Sequence, residues 1–382
     1  MSQEVQRITP VVSVIMPTWN GEQFLRPAID SILNQTFTDF ELIVINDGST
    51  DSTPRILAEY KDERLVVLTN EHNLGIAGAT NRGLAVARGE YVALQDHDDT
   101  SLPQRLQTQV EYLDSHPEIA LVGSDAILIN DDGAPYNKKP ALGIWANRNN
   151  LQSQDDLDLK WDLLFGCPFY HISVMIRRTA ILDVGGYRRD PSFQFAQDFE
   201  LLSRIAVRYR VANLMVPLVL WRRHSEAAGR KYSQRQQSSN NSISFRNMCT
   251  VYEAEPRRDR RAAHPNGIAK PHNPESCVTF DQWSRFLGLK AFLCTPEGKL
   301  PDLPPAQVLS GVQFLYDIQE NFYWMHRFPR SNANKHRRPY NWIWGKHAVA
   351  LAVRAPWDWS SRIQMFRMGM RSLRWAAWTL LP

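Results

Sequence analysis

Through roughly the first 225 residues, short apolar runs broken by polar turns alternate with longer segments whose apolar positions recur every three and four residues. Val11-Val12-Ser13-Val14-Ile15-Met16 predicts a buried strand ended by Pro17, with the polar turn Thr18-Trp19-Asn20-Gly21 behind it. Phe24, Leu25, Ala28, Ile29, Ile32 and Leu33 then fall on one face of a helix. A second strand over 40–45 stops in Asn46-Asp47-Gly48-Ser49-Thr50-Asp51. There Gly48 permits a sharp reversal, and Ser49, Thr50 or Asp51 can cap a helix carrying Ile56, Leu57 and Tyr60. A third strand over 65–68 precedes Asn73-Leu74-Gly75-Ile76-Ala77-Gly78 and a small-residue helix through Ala87. The fourth, Tyr91-Val92-Ala93-Leu94, ends abruptly in Gln95-Asp96-His97-Asp98-Asp99.

Further along, the pattern predicts a helix over 103–115, a strand over 119–123 and a hairpin turning at Asp131-Asp132-Gly133. A polar, mobile loop over 134–156 is expected to cover the cleft, followed by a helix over 157–164 and a strand over 171–176. Gly185-Gly186-Tyr187 reads as a permissive loop, and a helix begins close to Asp198. A strand over 216–220 leads into Trp221-Arg222-Arg223-His224.

Strands alternating with helices predict an α/β fold with a mostly parallel sheet and right-handed crossovers. Each of the first four strands ends in polar residues, so their loops converge on one edge, where open α/β sheets bind ligands. No G-x-G-x-x-G or G-x-x-x-x-G-K-[ST] follows any of them, so a glycine cradle for phosphates is excluded. Asp96, Asp98 and Asp99 supply a different solution. Like charges this close repel unless a cation joins them, and hard oxygen donors suit Mg²⁺ or Mn²⁺ completed by substrate phosphates. The competing reading of Asp-x-Asp is a solvated acidic turn.

Composition changes this picture little. The chain of 382 residues can bury one substantial domain plus an appendage, and a net charge of +4 lends no support to nucleic-acid binding. Cys167, Cys249, Cys277 and Cys294 lack the paired spacing of a zinc or redox site and are expected to be reduced. The first residues lack the basic segment and apolar core of a signal peptide, and no apolar run reaches the roughly 20 residues of a membrane span. A cytoplasmic location is expected.

In order, Ser13-Val14-Ile15-Met16-Pro17-Thr18-Trp19-Asn20, Val44-Ile45-Asn46-Asp47-Gly48-Ser49-Thr50-Asp51, Asn73-Leu74-Gly75, Asp96-His97-Asp98-Asp99, Gly185-Gly186-Tyr187, Gln197-Asp198 and Arg222-Arg223-His224 resemble the family 2 glycosyltransferases of GT-A fold over roughly residues 11–225. The resemblance implies a GT-A-type nucleotide-binding α/β/α sandwich acting on a nucleotide-diphospho-sugar, with a UDP-sugar favoured. Pro17, Thr18, Asn20 and Ser49 would then lie on the donor side and Asp47 would bind the base. A carboxylate can accept a base's imide N–H, although Asp47 is equally readable as a turn residue.

By the same resemblance, Asn73 and Arg82 approach the sugar-nucleotide, Asp96 contacts the ribose or metal, Asp98 ligates the metal and Asp99 orients them. Arg82 also reads as a surface helix residue. Asp198 stands where the family has its general base, giving inversion by single displacement, and reads otherwise as a helix N-cap. Gln197 departs from the family's usual Glu. His224 is implied as a metal or diphosphate ligand, with a structural histidine as the alternative. His171, Gly186 and Gln197 are acceptor-side candidates, and Tyr170 lies beside them.

The resemblance assigns the catalytic domain to 1–230 and stops there. A linker over 231–275 and a mainly helical extension over 276–382 are expected. From Lys335 onward, Arg337, Arg338, Lys346, Arg354, Arg362, Arg367, Arg371 and Arg374 accompany a single acid, Asp358, and six tryptophans. Basic helices with interfacial Trp are a membrane-surface signature, so peripheral contact of 335–382 with an anionic leaflet is expected; a tail packed on the domain is the alternative. The acceptor is then a glycan or a lipid-linked saccharide. Competing functions are a sugar nucleotidyltransferase, which usually opens with a Gly-rich loop absent here, and a non-catalytic sugar-nucleotide or glycan-binding protein.

Overall fold

A computed structural model of the chain describes residues 9–136, 156–163 and 166–224, with short pieces at 235–236, 239–240, 242–244 and 246–247. The chain divides into two units, Met1–Ile243 and Ser244–Pro382. Almost all of the loop expected over 134–156, most of the linker over 231–275, and all of the extension over 276–382 with its basic tail lie outside the described residues.

The first unit is built on one eight-stranded sheet. Its strands are β1 (Val12–Thr18), β2 (Phe40–Asn46), β3 (Leu65–Thr69), β4 (Tyr91–Leu94), β5 (Thr100–Ser101), β6 (Ile119–Ile129), β7 (Met175–Arg177) and β8 (Arg210–Arg222). They lie in the order β3-β2-β1-β4-β7-β6-β8-β5. β3, β2, β1 and β4 are mutually parallel, with Val14 between Leu42 and Ala93. β7 runs antiparallel to both β4 and β6, whereas β8 is parallel to β6. The sheet is therefore mixed, with a parallel half that ends at β4.

Alternation decides which side chains go to which face. Val12, Val14, Met16, Leu42, Val44 and Ala93 point to one core, packed by α1 (Leu25–Leu33), α2 (Thr53–Glu59) and α4 (Arg105–Ser115). Ile15, Ile43, Ile45, Val92 and Leu94 point to the other, covered by α3 (Gly75–Val86), α6 (Arg178–Asp183) and α7 (Gln197–Arg208); α5 (Asp156–Asp162) adds Leu159 there. Covered on both faces, these strands have no polar side to expose, which is why their sequences read as apolar runs interrupted only by Ser13 and Glu41, which bond each other inside.

Four expectations are adjusted. β1 does not stop at Pro17 but continues to Thr18. Ile15 accepts from the Gln95 N–H on the β4 side and Thr18 accepts from the Asp47 N–H on the β2 side, so Pro17 turns its missing donor toward β4, whose register with β1 ends at Ile15. The strand expected over 171–176 is shorter. His171–Ser173 form a 3-10 turn, in which the Ser173 N–H and Oγ–H both bond the Tyr170 carbonyl, and extended pairing resumes only at Met175. β6 and β8 are longer than their apolar runs, because a parallel register with three shifts lets polar Ser124, Asp125 and Asn213 be carried inside. The hairpin at 131–133 does form, with Gly133 at φ 82° and a single antiparallel bridge between Ile129 and Pro135.

Cys167, the one cysteine among the described residues, is a free thiol. No described helix is long and apolar enough to cross a membrane.

Candidate active site at the carboxyl ends of the strands

The loops after β1 and β2 are laced together. Asn20 adopts φ 50°, which its short polar side chain tolerates, and its Oδ1 accepts the Thr50 N–H at 2.8 Å while its own N–H donates to Ser49 Oγ at 3.0 Å. Gly48 makes the reversal at φ 70° that the sequence predicts, close against the backbone of His72 and Asn73. Asp51 takes the Glu22 and Thr53 N–H groups, so of the three candidate caps it is Asp51 that bonds the start of α2. Thr18 Oγ1 is buried with no hydrogen-bond partner among the described residues.

Asp47 is buried at the end of β2. Its Oδ1 accepts from Asn70 Nδ2 at 2.6 Å and from the Leu74 N–H at 2.9 Å, and its Oδ2 accepts the Gly75 N–H at 2.9 Å. An ionised carboxylate has about four acceptor positions, so this one holds the start of α3 with capacity to spare. Asn73 Oδ1 also accepts the Gly75 N–H. Arg82 donates to the Thr69 carbonyl at 2.7 Å and to Asn70 Oδ1, which links Arg82 through Asn70 to Asp47.

β4 ends in the acidic loop. Ligand oxygens of Asp96, Asp98 and Asp99 lie within 4.8 Å of one another. Beneath them Arg105 is wholly buried, donating to Gln95 Oε1 (3.0 Å), Ser101 Oγ (2.9 Å) and the Leu94 carbonyl (2.8 Å). Burial pushes its guanidinium down to about 9, against the pull of Asp96 and Asp99, so it is cationic at neutral pH. Arg222, at the end of β8, gives its backbone N–H to Asp99 Oδ1 (2.6 Å) and its Nε–H to the Asp98 carbonyl (2.9 Å). The same guanidinium lies 4.6 Å from the ring centre of Phe24.

His224 Nε2 stands 2.9 Å from Asp98 Oδ2. Partial burial works against the Asp98 charge, but the His224 bond and nearby His97 outweigh it and hold the carboxyl below its usual range. That same bond raises the His224 pKa. Asp99 goes the other way: burial and then the charges of Asp98 and Asp96 drive it well above the carboxylate range. An acidic site in which one member is pushed toward neutrality is short of positive charge.

His171 joins the acidic loop to a further group of residues. His171 Nδ1 is 3.6 Å from Asp96 Oδ1, and its Nε2 is 2.7 Å from the Tyr187 hydroxyl. Burial lowers the His171 pKa, yet Asp96 and Asp198 raise it further, and the net direction is upward. Asp198 sits half-buried in the first turn of α7 beside Gln197. Gly186 takes φ 63°, and a Cβ there would fall 2.7 Å from Asn81 Oδ1. Buried Glu200 pairs with Arg204, whose Nη2 donates to the Gly186 carbonyl.

Three clusters thus emerge from the predicted residues. Pro17, Thr18, Asn20 and Ser49 share one; Asp47, Asn73 and Arg82 share a second; Asp96, Asp98, His224 and His171 share the third. Asp198 lies close enough to act electrostatically on His171 and Tyr187. Sequence reasoning missed Asn70, Asn81, Arg105 and Glu200. Asn70 follows a strand end and was accessible by the logic used for Asp47, whereas Arg105 lies on the buried stripe of α4 with Leu106, Gln109 and Leu113 and carries no such signal.

A family model described as Glycosyl transferase family 2 matches residues 13–181. An uncharacterized glycosyltransferase of Haemophilus influenzae is 31% identical over 243 residues, covering 63% of this chain and 73% of that protein. The putative glycosyltransferase EpsE of Bacillus subtilis is 33% identical over 230 residues, covering 58% and 76%. Among solved structures, S. aureus TarS residues 1–349 aligns over 95% of this chain and 91% of its own at a TM-score of 0.50 and 16% identity, a likeness of fold. With two relatives above 30% identity matched over more than two thirds of their length, and the family model reaching from β1 into α6, this chain belongs to the family 2 glycosyltransferases, enzymes of sugar transfer.

Proposed function

We propose that this chain is an inverting, metal-dependent glycosyltransferase that moves a sugar from a nucleotide-diphospho-sugar to an acceptor hydroxyl of a glycan or lipid-linked saccharide. The observation that carries the reading is the trio Asp96, Asp98 and Asp99, brought within 4.8 Å at the end of β4, on the side of the sheet where the β1 and β2 loops meet. The donor set is all hard oxygen with one imidazole beside it, and it is short of positive charge, which fits Mg²⁺ or Mn²⁺. Asp96 and Asp98 would hold the ion, with His224 free to join them once it releases Asp98. When bound, the cation neutralises the charge that develops on the leaving diphosphate.

The chain's own groups do the rest. Pro17, Thr18, Asn20 and Ser49 line the nucleotide, Asp47 binds the base, and Asn73 and Arg82 approach the sugar-nucleotide. The unpartnered Thr18 Oγ1 suits a polar ligand atom. Asp198 takes the proton from the acceptor hydroxyl as its oxygen bonds the anomeric carbon; the bond from that carbon to the phosphate oxygen breaks, and the nucleoside diphosphate leaves with the electron pair. A single displacement inverts the anomeric centre. His171, Gly186 and Gln197 were expected on the acceptor side. Peripheral contact of 335–382 with anionic lipid at the cytoplasmic face rests on the sequence alone.

TarS has been crystallised with UDP-GlcNAc, so UDP-sugars are the first donors to test. Transfer and donor hydrolysis measured across UDP-, GDP- and TDP-sugars, with Mn²⁺, Mg²⁺ or chelator, test the proposal. Metal-dependent release of a nucleoside diphosphate supports it. Formation of a nucleoside triphosphate and a sugar 1-phosphate when pyrophosphate is added identifies a nucleotidyltransferase, and binding without turnover identifies a binding protein.

A further inference from the structure

Tyr187, His171 and Asp96 come from three separate segments and meet in one line. The Tyr187 hydroxyl is 2.7 Å from His171 Nε2, and His171 Nδ1 is 3.6 Å from Asp96 Oδ1. The Tyr187 end of that line is unusually well fixed. Asn81 grips its backbone with both ends of its amide, accepting the Tyr187 N–H at 2.9 Å and donating to its carbonyl at 2.7 Å. Arg204, locked to Glu200, holds the carbonyls of Val184 and Gly186 just before it. Tyr187 is 3% exposed, its ring packed in the core with Phe199 and Ile181.

The 2.7 Å contact is met in a neutral imidazole when the phenol donates to Nε2, and that arrangement leaves the proton on Nδ1, the nitrogen that faces Asp96. A charged imidazole also carries an Nδ1–H, so the orientation does not depend on titration. Without the hydroxyl, a neutral His171 is free to take the commoner Nε2–H form, which turns an Nδ1 lone pair toward a carboxylate. We propose that Tyr187 and His171 are positioning residues for the donor side: Tyr187 fixes His171 so that its Nδ1–H steers the Asp96 carboxylate toward the donor and its cation. This moves His171 from the acceptor group, where the sequence suggested it, to the donor group. The proposal rests on the reading of Asp96 as a donor-binding or metal-binding carboxylate.

The test is the affinity of the full chain for UDP, GDP and TDP, each with Mn²⁺, by titration calorimetry. Tyr187→Phe keeps the ring and loses the hydroxyl; it is expected to weaken nucleotide binding about tenfold or more, the usual scale for losing a partner that orients a ligand carboxylate. His171→Gln, whose amide nitrogen stands where Nε2 stands, should behave the same way. His171→Asn puts an N–H where Nδ1–H stands and should recover most of the affinity. Thermal unfolding of each variant checks that the fold is kept, and Tyr187→Phe alone decides the matter if the His171 variants fail to fold. Unchanged binding in Tyr187→Phe, or equal loss in His171→Asn and His171→Gln, overturns the relay. Asp96→Asn separates the two levels: if it binds like the wild-type chain, or if the wild-type chain binds none of the three, the donor reading of Asp96 falls and the relay with it.

Discussion

Glu200 and Arg204 form the most deeply buried ion pair on α7, and their removal should be strongly non-additive. The Glu200 side chain is 1% exposed and that of Arg204 is 14%. Arg204 Nε lies 3.0 and 2.9 Å from the two carboxylate oxygens and its Nη2 lies 2.7 Å from one of them, while Arg188 approaches from the solvent side at 3.3 Å. Glu200→Leu leaves a buried guanidinium with the Val184 and Gly186 carbonyls and no carboxylate; Arg204→Met takes from the buried carboxylate the guanidinium that meets both its oxygens. Leaving one buried charge without its partner costs about 3–5 kcal/mol, whereas replacing both by apolar groups costs far less. At about 2–4 °C per kcal/mol for a domain of this size, each single variant should melt roughly 6–20 °C lower. The double variant Glu200→Leu/Arg204→Met should be no worse than either single one, a coupling of at least about 2 kcal/mol. Guanidinium unfolding followed by circular dichroism across the four proteins measures it. A double variant whose loss equals the sum of the singles within about 0.5 kcal/mol would refute the argument.

Other consequences can be checked directly. Asp198→Asn, nearly isosteric but unable to take a proton, should lower turnover by about two to four orders of magnitude with donor affinity intact, as read from steady-state kinetics and calorimetry. Asp98→Ala should abolish Mn²⁺-dependent nucleotide binding, and full turnover in excess chelator would remove the cation from the reaction. Burial, aided by its bond to Asp114, raises the Tyr91 phenol to about 12. Raised above its unfolded value of about 10, it stabilises the fold fully below pH 10 and progressively less as pH climbs toward 12, so Tyr91→Phe should flatten the loss of stability over that window in alkaline unfolding curves. Truncation before Lys335 should abolish salt-sensitive sedimentation with anionic liposomes; equal sedimentation of both forms would leave the tail without a membrane role.

The parts of the fold legible in the sequence are those where one physical requirement dominates. β1, β2 and β4 are covered on both faces, so Val12 to Met16, Phe40 to Ile45 and Tyr91 to Leu94 are apolar except at buried Ser13 and Glu41, which bond each other, and they read as strands. Gly48 and Gly186 were visible because left-handed backbone favours glycine. His171 to Ser173 misled because β-branched Ile172 and its neighbours satisfy a strand pattern, while the turn is set by bonds to the Tyr170 carbonyl that no local propensity encodes. The clustering of Asp96, Asp98 and Asp99 followed from spacing alone. Arg105 did not, since a cation on an apolar stripe announces nothing about the carbonyls it will find. Asn81 reaches Tyr187 across 106 residues, and the partner of such a residue is a product of the fold.

The acidic loop is finished by a residue that arrives late. Asp99 and Arg222 are 123 residues apart in the chain. At a synthesis rate of about 5–20 residues per second, roughly 6–25 s pass between the appearance of the aspartate and that of its cap. Through that interval β1 to β4 can condense in register with Arg105 beneath their acidic end, but the backbone bond to Asp99 and the imidazole beside Asp98 are missing. A cation that meets the chain then meets carboxylates not yet arranged to hold it. The site is therefore a late product of translation, and a stop codon upstream of Arg222 leaves the parallel strands with an acidic edge that lacks its Arg222 and His224 partners.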